Sequence, residues 1–407
     1  MTLNEILCKR RTLLAGAAAG LTATLLDTRF AFAADPTGGR DVFVLLSLRG
    51  GFDGLSAIVP AADPNYYALR PAIGVPQKQL LAGDGFFGLH PAFAPLLPYW
   101  QAGTLAAVHA AGQPTPNRSH FAAMEELERA APGTSIRTGW LDRVLGGFGS
   151  PAGFGGVSVG SARPARVLAG GAPHLGVSSV DGFKLDGDLD GRPIAATMAK
   201  LYQGAPDALA TNTGQMLGAL GTAKQLQTAG YTPAASYPAT DLGNALKDVA
   251  RLVKANVGLR TATLDCGDWD MHEDLGVAVS GKRFYDRLNA LATALAAFAA
   301  DLGPDGMRKV TLVTISEFGR RVAQNGSGGL DHGYGNAMLL LGGNVKGGKV
   351  YGRWPGLAAP QLVDGDLAVT TDYRAVIAEV LRVRCGLADS SAVFPGVTGS
   401  ALGLVAA

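Results

Sequence analysis

The sequence predicts a three-layer α/β domain in which helices flank a mostly parallel central sheet. Three observations carry that expectation. Several short segments are apolar on both faces, as strands covered by helices on either side are. Amphipathic helical segments alternate with them. Polar residues recur just beyond the strand ends, where open α/β sheets bind their ligands. The 407 residues, 47% hydrophobic and 17% charged, suffice for one large core. The 57 glycines are spread through loops and not gathered in a linker, so residues 34–407 are expected to form a single domain with insertions.

The first 33 residues stand apart. Arg10 and Arg11 precede an apolar run from Leu13 to Leu26, and Ala31 and Ala33 are the small residues a signal peptidase accepts. The run is short for a membrane span. The paired arginines resemble a twin-arginine export signal. The mature chain is therefore expected to begin near Ala34, in the periplasm or outside the cell, with no stable transmembrane segment. Removal of Cys8 leaves Cys266 and Cys385, read as two isolated thiols in preference to a disulfide. With a formal net charge of +2 and no Lys/Arg run, no nucleic-acid partner is expected.

"DVFVLLSLRGGFDGL" (41–55) opens the mature chain with a doubly apolar strand that Gly50 and Gly51 end, leaving Asp53 just past its carboxyl end. "GTLAAVHAAG" (103–112) reads as a second buried strand. After it, two prolines force an extended loop, and Ser119 is placed to cap a helix running through Glu128. "FGGVSVG" (154–160) is a third strand. Residues 190–204 and 241–258 read as helices separated by a polar stretch near 228–240. "TATLDCG" (261–267) is a strand leading into "GDWDMHED" (267–274). In the helix predicted over 283–303, Phe284, Leu288, Leu291, Leu295 and Phe298 recur at helical spacing. "KVTLVTISEFG" (309–319) is another doubly buried strand, ending at Glu317. "NAMLLLGG" (336–343) adds a strand, and residues 370–387 supply a C-terminal helix.

Candidate chemistry gathers at these strand ends: Asp53, Ser119 with His120, the acidic "GDWDMHED", and Glu317 with "DHGYGN" downstream. Carboxylates and imidazoles are what divalent ions take. An extended segment would put Asp268, Asp270 and His272 on one face; a helical one would pair Asp268 with His272. The competing reading is a solvated acidic turn, which Trp269 inside the run makes less suitable. His332 can close a site from another loop. Ser119 offers a hydroxyl that a metal and a helix N-terminus make nucleophilic, with His120 as general acid or as the group that orients it. Arg118 and Arg320 can hold a phosphate or sulfate group, or can pair with the surplus carboxylates nearby.

Several motifs together carry a family resemblance: "LRGGFDGLSAIVP", "PTPNRSHF", "GDWDMHED", "SEFGRRVAQNGSGGLDHGYGNAMLLLGG" and "GGKVYGRWPGL". From about residue 40 to the C-terminus the chain resembles domain-of-unknown-function family 1501 (DUF1501), whose members are similar in fold to alkaline phosphatases and sulfatases. The resemblance implies an alkaline-phosphatase-like fold, with Asp53 as a metal ligand, Ser119 as nucleophile, Asp268 or Asp270 with His272 as a ligand pair, and His332 as the last ligand. The chain departs from that pattern at Phe318, which cannot ligate, so Glu317 is left to compensate. "NRSHFAA" lacks the context that sulfatases need for formylglycine. The resulting expectation is a metal-dependent hydrolase of phosphate or sulfate esters, acting on a small-molecule or envelope-associated ester. One or two divalent ions (Zn, Mn, Mg or Ca) are expected per chain: one held by Asp53 and Glu317, the other by Asp268 or Asp270 with His272 and His332. The alternative is a non-catalytic metal-binding or assembly protein of the cell envelope on the same fold.

Overall fold

The first doubly apolar segment forms strand β1 (Val42–Leu48), every residue of which is buried. The computed structural model describes residues 41–149, 154–187, 193–205, 207–398 and 400–407. The expected export signal over residues 1–33 and the mature start near Ala34 lie outside the described residues. The remaining strands are β2 (Ile58–Val59), β3 (Gly88–Leu89), β4 (Leu105–Gly112), β5 (Gly156–Val159), β6 (Leu175–Val177), β7 (Thr261–Cys266), β8 (Val310–Ile315), β9 (Asn336–Gly342), β10 (Val350–Tyr351) and β11 (Thr371–Asp372).

The main sheet runs β10–β4–β9–β8–β1–β7–β5–β6, and β11 also pairs with β4. β1 pairs in parallel with β7 and β8, and β5 in parallel with β7 and β6. β4 is parallel to β10 and β11. Within this sheet β9 runs against its neighbours β4 and β8. The reason lies in the connection. A parallel successor to β8 would need a crossover back to the far edge. Residues 316–335 instead contain no helix, and they lead straight back into β9. β2 and β3 form a separate antiparallel pair.

Alternation along β1 builds the three layers. Val44 and Leu46 enter one core with Leu246 and Val249 of the helix Asp241–Lys254 and Leu288 and Leu295 of the helix Arg283–Met307. Phe43 and Leu45 enter the other with Trp140 and Leu141 of the helix Trp140–Gly147 and Val376 and Ile377 of the helix Tyr373–Val383. The result is a mixed, mostly parallel sheet flanked by helices, of the α/β class. Cys266 and Cys385 are both free and buried, and burial pushes the Cys385 thiol up to about 12.

One long helix, Asp207–Ala229, has no counterpart in the sequence reading. Gly214, Gly218 and Gly221 interrupt its pattern, and glycine is a weak helix former. Its contribution to the core comes from Ala219, Ala223 and Leu226, too short a stripe to read as an amphipathic face.

Asp53 follows β1 as expected but has a structural partner. Its two carboxylate oxygens accept from Arg70, Oδ2 from Nη1 at 2.7 Å and Oδ1 from Nη2 at 3.0 Å, and both side chains are buried. Arg70 also donates to the carbonyls of Arg321 (2.9 Å) and Val322 (2.8 Å), fastening the end of β1 to the β8–β9 connection. The carboxylate expected to bind metal is thus committed to a buried ion pair. Replacing Arg70 with Met would leave a buried unpaired charge, and unfolding in urea is expected to show a loss of about 3–5 kcal/mol. The double variant Arg70→Met/Asp53→Leu should recover much of that loss, because an apolar pair needs no charge partner.

Candidate metal centre

Three histidines and one aspartate converge at the carboxyl edge of the sheet. His120 is the first residue of the helix His120–Arg129, which follows β4. Asp270 and His272 lie in the irregular segment after β7, and His332 in the β8–β9 connection. The segment 267–274 is neither extended nor helical. Asp268 adopts a left-handed conformation (φ 63°), and its exposed carboxylate lies 3.1 Å from Arg287 Nη2. Asp268 is therefore turned away, while Asp270 faces the histidines.

Asp270 Oδ1 lies 2.9 Å from His272 Nε2 and 3.1 Å from His332 Nε2, and those two nitrogens are 3.0 Å apart. His120 Nε2 is 3.5 Å from Asp270 Oδ2 and is a buried nitrogen with no hydrogen-bond partner. The ligand atoms of His120, Asp270 and His332 all lie within 4.8 Å of one another, the one such group among the described residues.

The opposite nitrogen of each ring faces an acceptor. His120 Nδ1 donates to Glu317 Oε1 (2.9 Å), His272 Nδ1 to Asp331 Oδ1 (3.2 Å) and His332 Nδ1 to the carbonyl of Arg118 (2.8 Å). A neutral imidazole carries one hydrogen. With it at Nδ1, three Nε2 lone pairs point toward a carboxylate. Nor can His272 and His332 both carry hydrogen at Nε2, since the two atoms face each other at 3.0 Å. Phe318 lies under two of these rings, with centroids 4.8 Å from His120 and 4.6 Å from His332.

Arg320, only 2% exposed, binds the segments together. Its Nε donates to Gly51 O (2.6 Å), Nη1 to Leu330 O (2.9 Å), and Nη2 to Trp269 O (3.0 Å), Asp270 Oδ1 (2.6 Å) and Gly50 O. Burial works against the charge on Asp270, but the hydrogen bond and positive charge of Arg320 lead the effects that outweigh it and hold this carboxyl well below the usual range.

Residues 90–394 match the family described as protein of unknown function (DUF1501). The chain belongs to the DUF1501 family. No curated protein matches it. Among solved structures, it is similar to the lipoteichoic acid synthase LtaP of Listeria monocytogenes (8% identity, 82% of this chain and 74% of that one, TM-score 0.33). It is also similar to the C-terminal periplasmic domain of EcEptC of Escherichia coli, solved with Zn (11%, 76% and 74%, 0.34). A third similar structure is the sulfatase PsFucS1 of Pseudoalteromonas sp. (12%, 76% and 64%, 0.33). Likeness this distant transfers no chemistry, which has to come from the residues themselves.

In this DUF1501 protein several expected site residues have other duties. Glu317 is buried; Oε1 accepts from Gly50 N (2.8 Å) and His120 Nδ1, and Oε2 from Ser316 Oγ (3.0 Å), so it orients a histidine and is not one of the converging ligand atoms. His120, expected as an acid or as the group orienting Ser119, has its Nδ1 engaged by Glu317 and its Nε2 turned into the cluster. Arg118 donates to the buried Asp366 from Nε (2.9 Å) and Nη2 (2.5 Å) and lies over the Tyr334 ring. Arg118 and Arg320 are thus both paired with protein groups, the arrangement weighed beside substrate binding for them. Ser119 occupies the N-cap position, exposed, and its side chain caps nothing; Asn117 Oδ1 takes its N–H instead (2.6 Å).

Asp331, Asn325 and Gly50 were not singled out as site residues. Asn325 Nδ2 donates to His272 O (2.7 Å). At Gly50 (φ +111°) a Cβ would lie 2.7 Å from Asp270 N, so only glycine lets the 267–274 segment close on the end of β1. The "RGG" after a strand was the available signal for Gly50. For Arg320→Lys, a compact ammonium replaces a planar fork and leaves several inward-facing carbonyls unpaired. Urea unfolding should register a loss on the order of 3 kcal/mol; an unchanged midpoint would remove Arg320 from this structural role.

Proposed function

We propose that this chain is an exported metal-dependent hydrolase of phosphate or sulfate esters, with one divalent ion held by His120, Asp270, His272 and His332. One observation carries the reading: the Nε2 atoms of three imidazoles converge on Asp270 while each Nδ1 faces an acceptor, the arrangement that frees three lone pairs for an ion. Ligating histidines are oriented in this way, by a carboxylate or carbonyl behind the ring. Three imidazoles and one carboxylate favour zinc over magnesium, calcium or manganese, which prefer oxygen donors. The ester class rests on the family resemblance, and export on the N-terminal sequence. Among the described residues no helix is long and apolar enough to cross a membrane.

When bound, such an ion polarises an ester oxygen and lowers the pKa of a hydroxyl or water beside it. The chain's own residues do the rest. Ser119 stands at the start of the helix His120–Arg129, where the helix dipole favours negative charge on its oxygen. In this reading its hydroxyl attacks phosphorus or sulfur as the bond to the leaving oxygen breaks and that oxygen takes up a proton, and water then cleaves the serine ester to release phosphate or sulfate and restore the hydroxyl. Glu317 and Asp331 hold His120 and His272 against rotation. Phe318 keeps water from the underside of the rings. A cavity of ≈510 Å³, lined by His120, Phe121, Met124, Asp270 and Glu317, gives a substrate access. Packing beneath His120 and His332 also accounts for Phe318, the residue that favoured a non-catalytic binding protein.

Metal analysis of the purified mature chain is expected to find about one zinc per chain. His272→Ala and His332→Ala should lose it, and Glu317→Gln should weaken affinity by about 10- to 100-fold. Ser119→Ala should keep the metal and lose turnover of aryl phosphates or sulfates. A zinc-reconstituted wild type inactive on every phosphate and sulfate ester tested would sink the hydrolase reading; a chain that binds no divalent ion would sink the centre itself.

A further inference from the structure

A second cavity, of ≈650 Å³, lies beyond the ends of β5, β6 and β7, within the range of ligand sites, roughly 300–1,000 Å³. It shares Arg49, Glu128 and Arg166 with the cavity over His120 and Asp270, so the two are adjacent. Those three shared residues are mutually paired: Glu128 lies 3.2 Å from Arg49 and 3.4 Å from Arg166, while Arg49 Nε also meets Asp265 at 2.8 Å. They form a rim with little net charge.

Beyond the rim the walls carry polar groups without structural work. Among the described residues Ser158, Ser178, Asn244, Asp241, Arg163 and Lys247 line the cavity, and none of their side chains has a hydrogen bond or ion pair. Neutral, acidic and basic groups are mixed there. Further carboxylates line the same space: Asp181, paired with Arg251 (2.7 Å), and Asp248, which accepts from Val180 N (3.0 Å). Four cations (Arg49, Arg163, Arg166 and Lys247) face five carboxylates (Glu128, Asp181, Asp241, Asp248 and Asp265), so a chain with a negative charge on every unit gains no net attraction there. A neutral chain rich in vicinal hydroxyls suits both signs, because each hydroxyl both donates and accepts. The adjoining cavity over His120 and Asp270 carries Phe121, an aromatic ring 90% exposed, one residue after His120. The C–H face of a sugar ring packs on such a surface.

We propose that this cavity is a glycan subsite: it takes a neutral, polyhydroxylated stretch of the same molecule whose ester group sits at the metal centre, with Phe121 of the adjoining cavity as a stacking platform. The substrate class that follows is an ester-bearing oligosaccharide or polysaccharide. This deepens, and rests on, the hydrolase reading.

The test is calorimetric titration of the zinc-loaded mature chain with neutral hexasaccharides of glucose, galactose, mannose and N-acetylglucosamine, and with an inorganic polyphosphate. At least one hexasaccharide should bind. Asn244→Ala/Lys247→Ala and Phe121→Ala should each weaken it by about tenfold, the equivalent of one or two hydrogen bonds or a stacking contact. The melting temperature of Phe121→Ala should stay at the wild-type value, and that of Asn244→Ala/Lys247→Ala should fall only slightly, since Lys247 acts on Asp248 through its charge alone. The subsite is overturned if no hexasaccharide binds, if the variants bind as tightly as wild type, or if polyphosphate binds in place of the glycans. The two readings fail separately. Hexasaccharide binding without cleavage of any ester leaves the subsite and removes the hydrolase, whereas ester cleavage without hexasaccharide binding does the reverse.

Discussion

The buried guanidinium of Arg320 is the constraint on which the strand-end loops depend. Its acceptors come from the residues just after β1, from the segment after β7 and from the approach to His332. Loop carbonyls turned inward have no ladder to satisfy them, and leaving them unpaired in the interior is costly. A planar fork with five donors meets that need with one side chain; a lysine has three donors at a single point. Holding these carbonyls also sets where Asp270, His272 and His332 stand. Arg70 repeats the device on the next residues, binding the carbonyls of Arg321 and Val322 together with Asp53. Two buried arginines therefore cross-link the carboxyl edge of the sheet.

The antiparallel return of β9 matters for the same reason. In a purely parallel sheet, the chain leaving β8 would cross to the opposite edge before its next strand. Here residues 316–335 stay at the edge where β1, β4 and β7 also end, so one connection supplies Glu317, Phe318, Arg320 and His332. The histidine ring, the group that orients a second ring, the apolar floor and the clamp are thus local to a single loop. Only Asp270, His272 and His120 are brought from elsewhere, and Arg320 tethers two of these.

The strands were legible because burial on both faces leaves a largely apolar run, as in β1 and β4, whereas threonines interrupt it in β7 and β8 and Asp265 is exposed in β7. The edge that would carry the site followed from the same pattern. Pairing among polar residues was not legible. Asp53, Arg118 and Arg320 look available in the sequence, yet each is engaged by a group 17 to 269 residues away. Contacts of that span depend on how loops close, which local residue types do not encode. Asp268 and Asp270 are equally acidic neighbours, and what separates them is one left-handed residue at Asp268. Likewise, the orienting role of Glu317 depends on a helix that begins at His120, nearly two hundred residues earlier.

Charge balance bears on how many ions the proposed centre would hold. Asp270, Glu317 and Asp331 surround the three imidazoles, and Arg320 is the one guanidinium bonded to a member of this set. Arg321 also acts on Asp331 through its charge, so with the rings neutral three carboxylates face two arginines, and a single divalent ion more than offsets the remainder. A second ion would need further carboxylates. The candidates in sequence were Asp53 and Asp268, but Arg70 neutralises the first in the interior and Arg287 meets the second at the surface. For the proposed centre this argues for one ion. Because Glu317 and Asp331 touch the rings and not the ion, their charge would act through the imidazoles, making the nitrogens better donors. That favours a borderline ion such as zinc, which binds nitrogen well, over a hard ion that would need those carboxylates directly.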